Sequence, residues 1–458
     1  MNQPQQLQQL LEDAKKILEG NWTGNFTIPA STLYPHQWSW DAAFIAIGNS
    51  YFNTERAIKE LDFLFGAQWK NGMVPHIVFN EKEKTYFPAA DFYDITRSPN
   101  APKHIGTSGM TQPPVHAIAC YYIYENAEDK DYAKSFLNRI YPKLKSFHNY
   151  LMTDRDPEKS GLVTILHPWE SGLDDSPLWD EALSRIRVQN LPKFERLDVI
   201  AVDGAKYVRP SDEMYNRFIY MVELMKHYNY DEQKMYEAFP FKIKSLVFGS
   251  ILYVANKYMI KIADILREED TEQIREWISR TENNFYEYFL PAGQILGDTE
   301  EALFCNYDLV SKDWTRKNTI STIIPIYTGL IPKEEIGTFV KWITHACYCK
   351  EGRCHTPALP SVPLEESYFT PVTYWRGPVW VNTNWMIWLG LLKYGHEEVA
   401  NPIKEGIFEL VTNHGFREYY NPFTGEGLGG KSFSWTAALV IDMIKNKGIG
   451  IPPDSKKS

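Results

Sequence analysis

The sequence predicts an all-α fold: one ring of helical hairpins, a helical toroid, with long active-site loops and minor β-hairpins. Apolar residues recur with the 3.6-residue period of amphipathic or buried helices along most of the 458 residues. Convincing strand patterns are short and lie between the helices. The motifs richest in Trp, Tyr, Asp and Glu also precede or join helices, and a ring of helices would bring alternate loops to one end.

The helical period covers most of the chain, and start and stop signals support several helices. Ser211 follows Pro210 at one start, and Pro378 stands in the first turn of a stretch that ends at Gly395. The predicted helices cover residues 5–19, 54–68, 113–125, 129–153, 211–227, 244–266, 270–288, 333–347, 379–394, 397–414 and 433–446. A further helix is predicted to begin at Asp41. The predicted strands lie within residues 73–79, 161–166 and 194–210. No linker-like composition divides the chain, so we expect one domain over residues 1–458, with two helical domains as the alternative.

The composition excludes several classes of protein. Hydrophobic residues make up 44% and charged residues 23%, as in soluble globular proteins. The formal net charge of −10 argues against nucleic acid or an anionic membrane as the main partner. No run of eighteen apolar residues is present, and the first twenty residues are polar, so we expect a cytoplasmic protein without a membrane span.

The five cysteines predict reduced thiols. Their odd number, with no secretion signal, argues against a disulfide framework. They are Cys120, Cys305, Cys347, Cys349 and Cys354. The last three lie with two histidines in HACYCKEGRCH, residues 345–355, but their spacing differs from standard zinc sites, so structural thiols are favoured over bound zinc.

The segment HPWESGLDDSP, residues 167–177, concentrates acidic and aromatic side chains in one loop. Hydrolysis of an acetal needs a proton donor for the leaving oxygen and a second carboxylate opposite it. Glu170, Asp174 and Asp175 are candidates, and Trp169 could raise the pKa of a neighbouring carboxyl by desolvation. The alternative is that Asp-Ser-Pro only caps a loop before a helix.

A second acidic cluster lies in FREYYNPFTGEGLGGKSFSW, residues 416–435. Glu418 stands between Arg417 and Tyr419, and Glu426 lies in a glycine-rich turn. A catalytic base stays ionised most easily where hydrogen-bond donors surround it. However, a loop glutamate is more often solvated than catalytic, so this cluster alone is a weak signal.

Two more loops combine aromatic and polar residues. In YPHQWSWD, Asp41 is either a helix cap or an acceptor for sugar hydroxyls. YWRGPVW, residues 374–380, is either aromatic packing at a helix start or a stacking wall for a sugar ring. Five such loops in one helical chain are not easily explained by packing, so they favour a carbohydrate site.

These loops together resemble glycoside hydrolase family 63, most closely its short bacterial and plant members, the mannosylglycerate and glucosylglycerate hydrolases. The motifs that carry the resemblance run in order from about residue 30 to 440: TLYPHQWSWDAAFIAIG, NGMVPHIVF, TSGMTQPPVHA, HPWESGLDDSP, TYWRGPVWVNTNW and EYYNPFTGEGLGG. The resemblance implies an (α/α)6 barrel that cleaves α-glycosides with inversion and needs no metal or cofactor.

The resemblance also implies roles for individual residues. Asp174 matches the general acid and Glu418 the general base, which in inverting enzymes stand roughly 6.5–9.5 Å apart. Glu170, Asp175 and Glu426 are then supporting or loop residues. The matches to hexose-binding residues are Tyr34, Trp40, Asp41, Gln112, Trp169, Gly172, Trp375 and Trp380. Tyr86 matches a mobile-loop tyrosine that closes over the site.

For the glycerate half, the resemblance implies Arg209 and Tyr215, with a further hydroxyl from Tyr374. An arginine suits this role because its planar guanidinium binds a carboxylate through two hydrogen bonds. Lys431 lies near a position where some glucosylglycerate hydrolases have Gln. It could supply charge to the glycerate, or it could indicate a different aglycone.

The sequence therefore predicts an inverting α-glycosidase that hydrolyses 2-O-α-hexosyl-D-glycerate, a small-molecule glycoside, to hexose and glycerate. The alternatives are an α-glucosidase acting on neutral di- or oligosaccharides, an inverting phosphorylase, and a catalytically silent sugar-binding protein. The presence of both Asp174 and Glu418 argues against the last. The choice between glucose and mannose stays open, as does a homo-oligomeric state.

Overall fold

A computed structural model describes residues 3–200, 208–296, 304–344, 348 and 353–450. The α-helices are Gln3–Gly20 (α1), Ser39–Ser50 (α2), Thr54–Gly66 (α3), Ala90–Tyr93 (α4), His116–Asn126 (α5), Lys130–Thr153 (α6), Asp180–Ser184 (α7), Leu197–Ile200 (α8), Asp212–His227 (α9), Glu232–Ala238 (α10), Leu246–Leu266 (α11), Glu272–Phe289 (α12), Ile336–Thr344 (α13), Val381–Lys393 (α14), Glu397–His414 (α15) and Ser434–Lys445 (α16). Turns of 3-10 helix cover Ile95–Arg97, Pro168–Ser171, Pro177–Trp179, Ile320–Thr322, Ile324–Thr328 and Lys333–Glu335.

The strands are short and form three small antiparallel sheets. They are Gln37–Trp38 (β1), Ile77–Val78 (β2), Thr164–Ile165 (β3), Ile243–Lys244 (β4), Asn306–Asp308 (β5), Asp313–Thr315 (β6), Arg417–Tyr420 (β7) and Gly427–Lys431 (β8). β1 pairs with β2, β3 to β6 form one sheet in sequence order, and β7 pairs with β8. The register of β7 and β8 shifts between Arg417 and Tyr419, which places Glu418 at the irregularity.

The predicted helices are confirmed to within three residues at their described ends. Residues 345–347, at the end of one prediction, lie outside the described residues. The strand predicted within 194–210 is wrong for its described part, because Leu197–Ile200 is a helical turn. Arg196 there bonds through its Nη2 to Asp198 at 2.7 Å, a local contact that suits a turn rather than a paired strand.

Six elements pack in a closed succession: α2, α5, α11, the 3-10 turns of 320–328, α14 and α16, with α16 packing back on α2. All twelve residues of α2 are buried. By contrast, α6 and α12 bury one face only, and they pack against α5 and α11. A helix that is apolar on all sides belongs in the interior, so the closed succession forms the inner layer and the amphipathic helices lie outside it.

One inner element departs from the predicted pattern. Residues 320–328 form 3-10 turns rather than an α-helix. Pro325 stands in this stretch and lacks the backbone N–H that an α-helix would use. The alternation of apolar residues with Ser, Thr and Pro there was too short to predict a helix, yet the segment completes the inner layer.

α11 is long and apolar enough to cross a membrane by length and composition, and 89% of its most apolar window is buried within the protein. A buried core helix passes the same test.

The prediction of reduced thiols is wrong for Cys354, which is disulfide-bonded. Cys120 is a free, buried thiol, and Cys305 is buried as well. Cys347 and Cys349 lie outside the described residues. An odd total of five cysteines still allows a disulfide between two of them, so the count did not exclude this bond.

Candidate active site

The loops at one end of the inner layer enclose a cavity of about 160 Å3. Most of the side chains predicted to bind substrate line it. These are Tyr34, Trp40, Asp41, Tyr86, Gln112, Trp169, Gly172, Asp174, Arg209, Tyr215, Tyr374 and Glu418. They come from seven separate stretches of the chain, so the fold brings together the motifs that the sequence places far apart.

Two predicted sugar-binding residues do not line the cavity. Trp375 and Trp380 are 2% and 0% exposed and stack on each other, with ring centroids 3.8 Å apart and planes within 5°. The indole of Trp380 donates a hydrogen bond to the carbonyl of Tyr374 at 2.9 Å. In this structure they form a rigid support behind Tyr374 and not a wall that meets the sugar.

The loop that carries Asp174 packs closely against Trp40, which lines the cavity. Gly172 has a φ of +73°, and a Cβ there would lie 2.5 Å from the ring of Trp40. The indole of Trp179 also donates to the carbonyl of Leu173 at 2.7 Å, which fixes the residue before the acid. Only glycine fits at position 172, and the close approach brings the carboxyl of Asp174 to the cavity.

The surroundings of Asp174 favour its neutral form. Desolvation raises the pKa of Asp174 well above its ordinary value, the negative charges of Asp175 and Glu418 raise it further, and Arg209 opposes them. A carboxyl group that stays protonated near neutral pH can give a proton to a leaving oxygen.

Glu418 lies in the opposite environment. It is 1% exposed, and its two oxygens accept hydrogen bonds from the Tyr34 hydroxyl at 2.7 Å and from the Gly430 N–H at 2.8 Å. The guanidinium of Arg209 is 3.6 Å from Oε2. Hydrogen-bond donors and a cation thus surround both oxygens and hold the carboxyl group in place.

The glycine-rich strand β8 allows this arrangement. Gly429 has a φ of +64°, and a Cβ there would lie 2.3 Å from Oε2 of Glu418. Glu426, the other candidate base, is exposed at the tip of the hairpin and does not line the cavity. Lys431 is also exposed and lies apart from the lining residues, so the structure gives no contact through which it would reach a glycerate.

Asp41 is in the first turn of α2 and is 4% exposed. Asp41 is not the cap residue of this helix: that position is Trp38, whose side chain makes no capping hydrogen bond. Desolvation raises the pKa of Asp41 well above its ordinary value, and the charge of Glu418 raises it further. Its neighbour Trp40 is fixed by a backbone N–H bond to Oε1 of Gln112 at 3.2 Å.

The residues predicted to bind glycerate lie together, but with contacts that the sequence did not indicate. Arg209 donates to the Tyr34 hydroxyl at 2.7 Å and stacks over the ring of Tyr374, 4.6 Å from its centroid. Arg209 therefore contacts the Tyr34 hydroxyl, which in turn bonds to Glu418. Tyr215 is 5% exposed, and the guanidinium of Arg196 lies 4.3 Å from its ring centroid.

Two of the segments that line the cavity are joined by aromatic stacking. The rings of Phe87 and Phe194 stack at 5.2 Å with an interplanar angle of 7°, which joins the loop of Tyr86 to the segment before Arg209. Tyr86 packs edge-on against His36, with ring centroids 4.9 Å apart.

Sequence reasoning missed several lining residues, including Trp38, His76, Asp198 and Trp435. His76 and Trp435 stand in quoted motifs, NGMVPHIVF and KSFSW, so their place in an aromatic-rich loop was the available signal. Glu170, by contrast, is structural: it is fully buried and ion-paired with Arg155 at 2.8 Å. Among the described residues no group of three or more acidic, His or Cys side chains could hold a metal ion.

Comparison with known proteins shows the family. Residues 34–436 match the mannosylglycerate hydrolase MGH1-like glycoside hydrolase domain. The chain is 40% identical to the mannosylglycerate hydrolase of Thermus thermophilus over 93% of its own length and 99% of the relative. It is 35% identical to the glucosylglycerate hydrolase of Mycolicibacterium hassiacum over 95% and 98%.

A solved structure agrees. The crystal structure of a family 63 mannosylglycerate hydrolase from Thermus thermophilus, in complex with Tris and D-glycerate, superposes with a TM-score of 0.86 at 39% identity, covering 94% of this chain and 99% of that one. Yeast neutral trehalase, at 16% identity and a TM-score of 0.55, shares the fold alone. The chain is a glycoside hydrolase and belongs to the MGH1-like mannosylglycerate hydrolase group of glycoside hydrolase family 63.

Proposed function

We propose that the protein hydrolyses 2-O-α-hexosyl-D-glycerate with inversion at the anomeric carbon, releasing hexose and glycerate. One observation carries the proposal: two carboxyl groups face one cavity in different environments, Asp174 favouring its neutral form and Glu418 bound by two hydrogen-bond donors with the Arg209 guanidinium beside it. Relatives named mannosylglycerate and glucosylglycerate hydrolases, 35–40% identical over nearly the whole chain, support this substrate class.

In the proposed reaction Asp174 gives its proton to the glycosidic oxygen as the bond to the anomeric carbon breaks. Glu418 takes a proton from a water molecule, which adds to the opposite face of the sugar and yields the β-hexose. Asp174 is then ionised and Glu418 protonated, and exchange with solvent restores both. Asp41 forms hydrogen bonds with the sugar hydroxyls in this scheme, each contributing roughly 0.5–1.5 kcal/mol.

The aglycone assignment depends on Arg209. Of the described residues that line the cavity, it is the only one with a permanent positive charge. A guanidinium suits a carboxylate, and a protein whose net charge is −10 needs such a local cation to hold an anionic substrate. Tyr215 and Tyr374 line the same side and add hydroxyls.

We also infer that the helices form an (α/α)6 barrel. The closed succession of six inner elements, with amphipathic helices packed outside, supports this architecture. In such a barrel the inner helices begin at the loops that carry the site, as α2, α14 and α16 do after Trp38, Trp380 and Phe433.

A proton NMR time course with mannosylglycerate, glucosylglycerate and the neutral disaccharide kojibiose tests the proposal. Early appearance of β-hexose from a glycerate substrate is the expected result, and the relative rates rank the two sugars. Early α-hexose would refute inversion. Turnover of kojibiose alone would leave the acid and base in place and discard the glycerate-binding role of Arg209.

A further inference from the structure

The carboxylate of Asp175, next to the proposed general acid, is buried with few hydrogen bonds and little nearby positive charge. Asp175 is 0% exposed. Its Oδ1 accepts a hydrogen bond from the Trp375 N–H at 3.0 Å, and among the described residues its Oδ2 has no hydrogen-bond partner. The nearest cation is Arg376, whose Nε is 4.0 Å from Oδ2. A buried carboxylate normally has more partners than this.

Arg376 is shared with a second carboxylate. It forms an ion pair with Asp180, in which Nη1 donates to Oδ2 at 3.1 Å and Nη2 to Oδ1. The backbone N–H of Arg376 also donates to the carbonyl of Thr373 at 2.7 Å, which fixes the loop. Because the guanidinium is directed at Asp180, it neutralises Asp175 only in part.

We propose that Asp175 is a positioning residue for the general acid, joining the loop of Asp174 to the loop of Trp375 and favouring the protonated form of Asp174 through its incompletely paired negative charge. The inference rests on the acid role proposed for Asp174. Two adjacent carboxyl groups, one fully buried and one half-buried, do not ionise independently, so the one that ionises first favours the neutral form of the other.

The contacts of Asp175 with Arg376 and the Trp375 N–H favour ionisation of Asp175 before Asp174. Burial raises the pKa of Asp175 to about 6, while Arg376 and the Trp375 N–H hold it down. The pKa of Asp174 is raised well above its ordinary value by desolvation and then by Asp175. Arg376 and the Trp375 N–H therefore favour ionisation of Asp175, while desolvation and the charge of Asp175 favour the protonated form of Asp174.

Other ionisable groups surround the pair and remain when Asp175 is changed. Around Asp174 these are Asp41, Tyr86, Tyr93, Arg209, Tyr374 and Glu418. Around Asp175 they are Asp180, Arg209, Arg376 and Tyr419. Arg209 opposes protonation of both carboxyls, while Glu418 favours protonation of Asp174, so replacing Asp175 removes one of two neighbouring negative charges.

The test measures the proton on Asp174 directly. The infrared band of its protonated carboxyl, assigned by its loss in Asp174→Asn, is followed against pH in the full-length protein without substrate. In Asp175→Asn we expect this band to disappear at a pH lower by about one unit, as is typical for the loss of a neighbouring like charge. Asparagine keeps the acceptor for the Trp375 N–H.

Two further variants make the result specific. Asp442→Asn is the matched control: Asp442 is also 0% exposed, its pKa is also raised to about 6 by burial, and it lies seven residues, about 10 Å of helix, beyond the cavity-lining Trp435. It should leave the Asp174 titration unchanged. In Asp180→Asn, where the replaced side chain is 39% exposed, Arg376 is free to neutralise Asp175. We expect a smaller downward shift.

An unshifted Asp174 band in Asp175→Asn, or an equal shift in Asp442→Asn, would overturn the proposal. If Asp175→Asn does not fold, the downward shift in Asp180→Asn decides in its place, and no shift there overturns it. The high-pH limb of kcat/KM on the hexosylglycerates should move with the band. A protein that shows the band shift but hydrolyses neither hexosylglycerate would refute the proposed function and keep the coupling between Asp174 and Asp175.

Discussion

The hydroxyl of Tyr34 donates a 2.7 Å hydrogen bond to Oε1 of Glu418 and accepts one of 2.7 Å from Arg209. Glu418, the proposed base, is thus oriented by a chain of two hydrogen bonds that begins at the Arg209 guanidinium. Arg209 also lies 3.6 Å from Oε2, so the three side chains form one network. A substrate carboxylate bound to Arg209 would therefore affect the orientation of Glu418 as well as the affinity for substrate.

Replacing Tyr34 with Phe should lower kcat by roughly 10- to 100-fold, because the ionised base loses a hydrogen bond worth about 1.5–3 kcal/mol. The melting temperature should change little, since the phenyl ring keeps the edge-on contact with Trp38. Steady-state kinetics at neutral pH measure the effect. An unchanged kcat would show that Tyr34 does not orient the base.

Asp174→Asn and Glu418→Gln should each lower kcat by about 10²–10⁴-fold, the usual contribution of a general acid or base. Both changes are nearly isosteric, so folding and hexose binding should persist, as calorimetry would show. Glu426→Gln is the control, because Glu426 is exposed at the tip of the same hairpin. An inactive Glu426→Gln beside an active Glu418→Gln would overturn the assignment of the base.

Gly429→Ala should inactivate the enzyme without unfolding it. The new Cβ would lie 2.3 Å from Oε2 of Glu418, at a backbone φ of +64° that alanine tolerates poorly, so the base must move. We expect at least a tenfold loss of kcat together with a lower melting temperature.

Gly337→Ala is the matched control for this substitution. It lies in α13, where a Cβ would meet no atom within 4 Å, and helix propensity favours alanine. Activity should be retained there. Full activity in Gly429→Ala would show that the hairpin adjusts and that glycine at position 429 is not needed to place the base.

Arg196→Met should weaken binding of the aglycone. Nη1 of Arg196 donates to the carbonyl of Pro210 at 2.6 Å, next to Arg209, and its guanidinium stacks over the ring of Tyr215. Without these contacts Arg209 and Tyr215, the two residues predicted to bind glycerate, are held less firmly in position. KM for the hexosylglycerate should rise by about tenfold while kcat changes less, since a cation–π contact contributes roughly 1–2 kcal/mol.

Arg217→Met serves as the comparison for that substitution. Arg217 lies on α9, the helix that begins near Arg209, where it pairs with Glu213 one turn away and donates to the carbonyl of Ile186. Its loss should leave KM unchanged. An equal rise of KM in both variants would indicate a general loosening of α9 and not a specific support of the aglycone side.

The loops of the site were predictable because each carries its chemistry locally. Asp174, Trp169 and Asp41 stand in dense motifs, and helical periodicity shows that these motifs lie at helix starts. The contact of Arg209 with Glu418 was not predictable, because it joins residues that meet only when the inner layer closes. The burial of Trp375 and Trp380 depends in the same way on what packs in front of them.

The turn at Leu197–Ile200 shows another limit of the sequence. Alternating apolar and polar residues in 194–210 resemble a strand, but a strand needs a neighbour with which to pair. Aromatic stacking between Phe194 and Phe87 holds the segment over the cavity instead. Whether this segment forms a strand or a turn therefore depends on the loop of Tyr86. That loop is distant in the sequence, so the local pattern carries no information about it.

The hydrogen bond between Tyr34 and Glu418 joins residues 384 positions apart. During synthesis the acid, the first sugar-binding loops and Arg209 emerge from the ribosome well before the strand that carries the base. Without that strand the site lacks the residue proposed to activate water. Hydrolysis can therefore begin only after the chain has been made through β8 and this hairpin has packed against the loop of Tyr34.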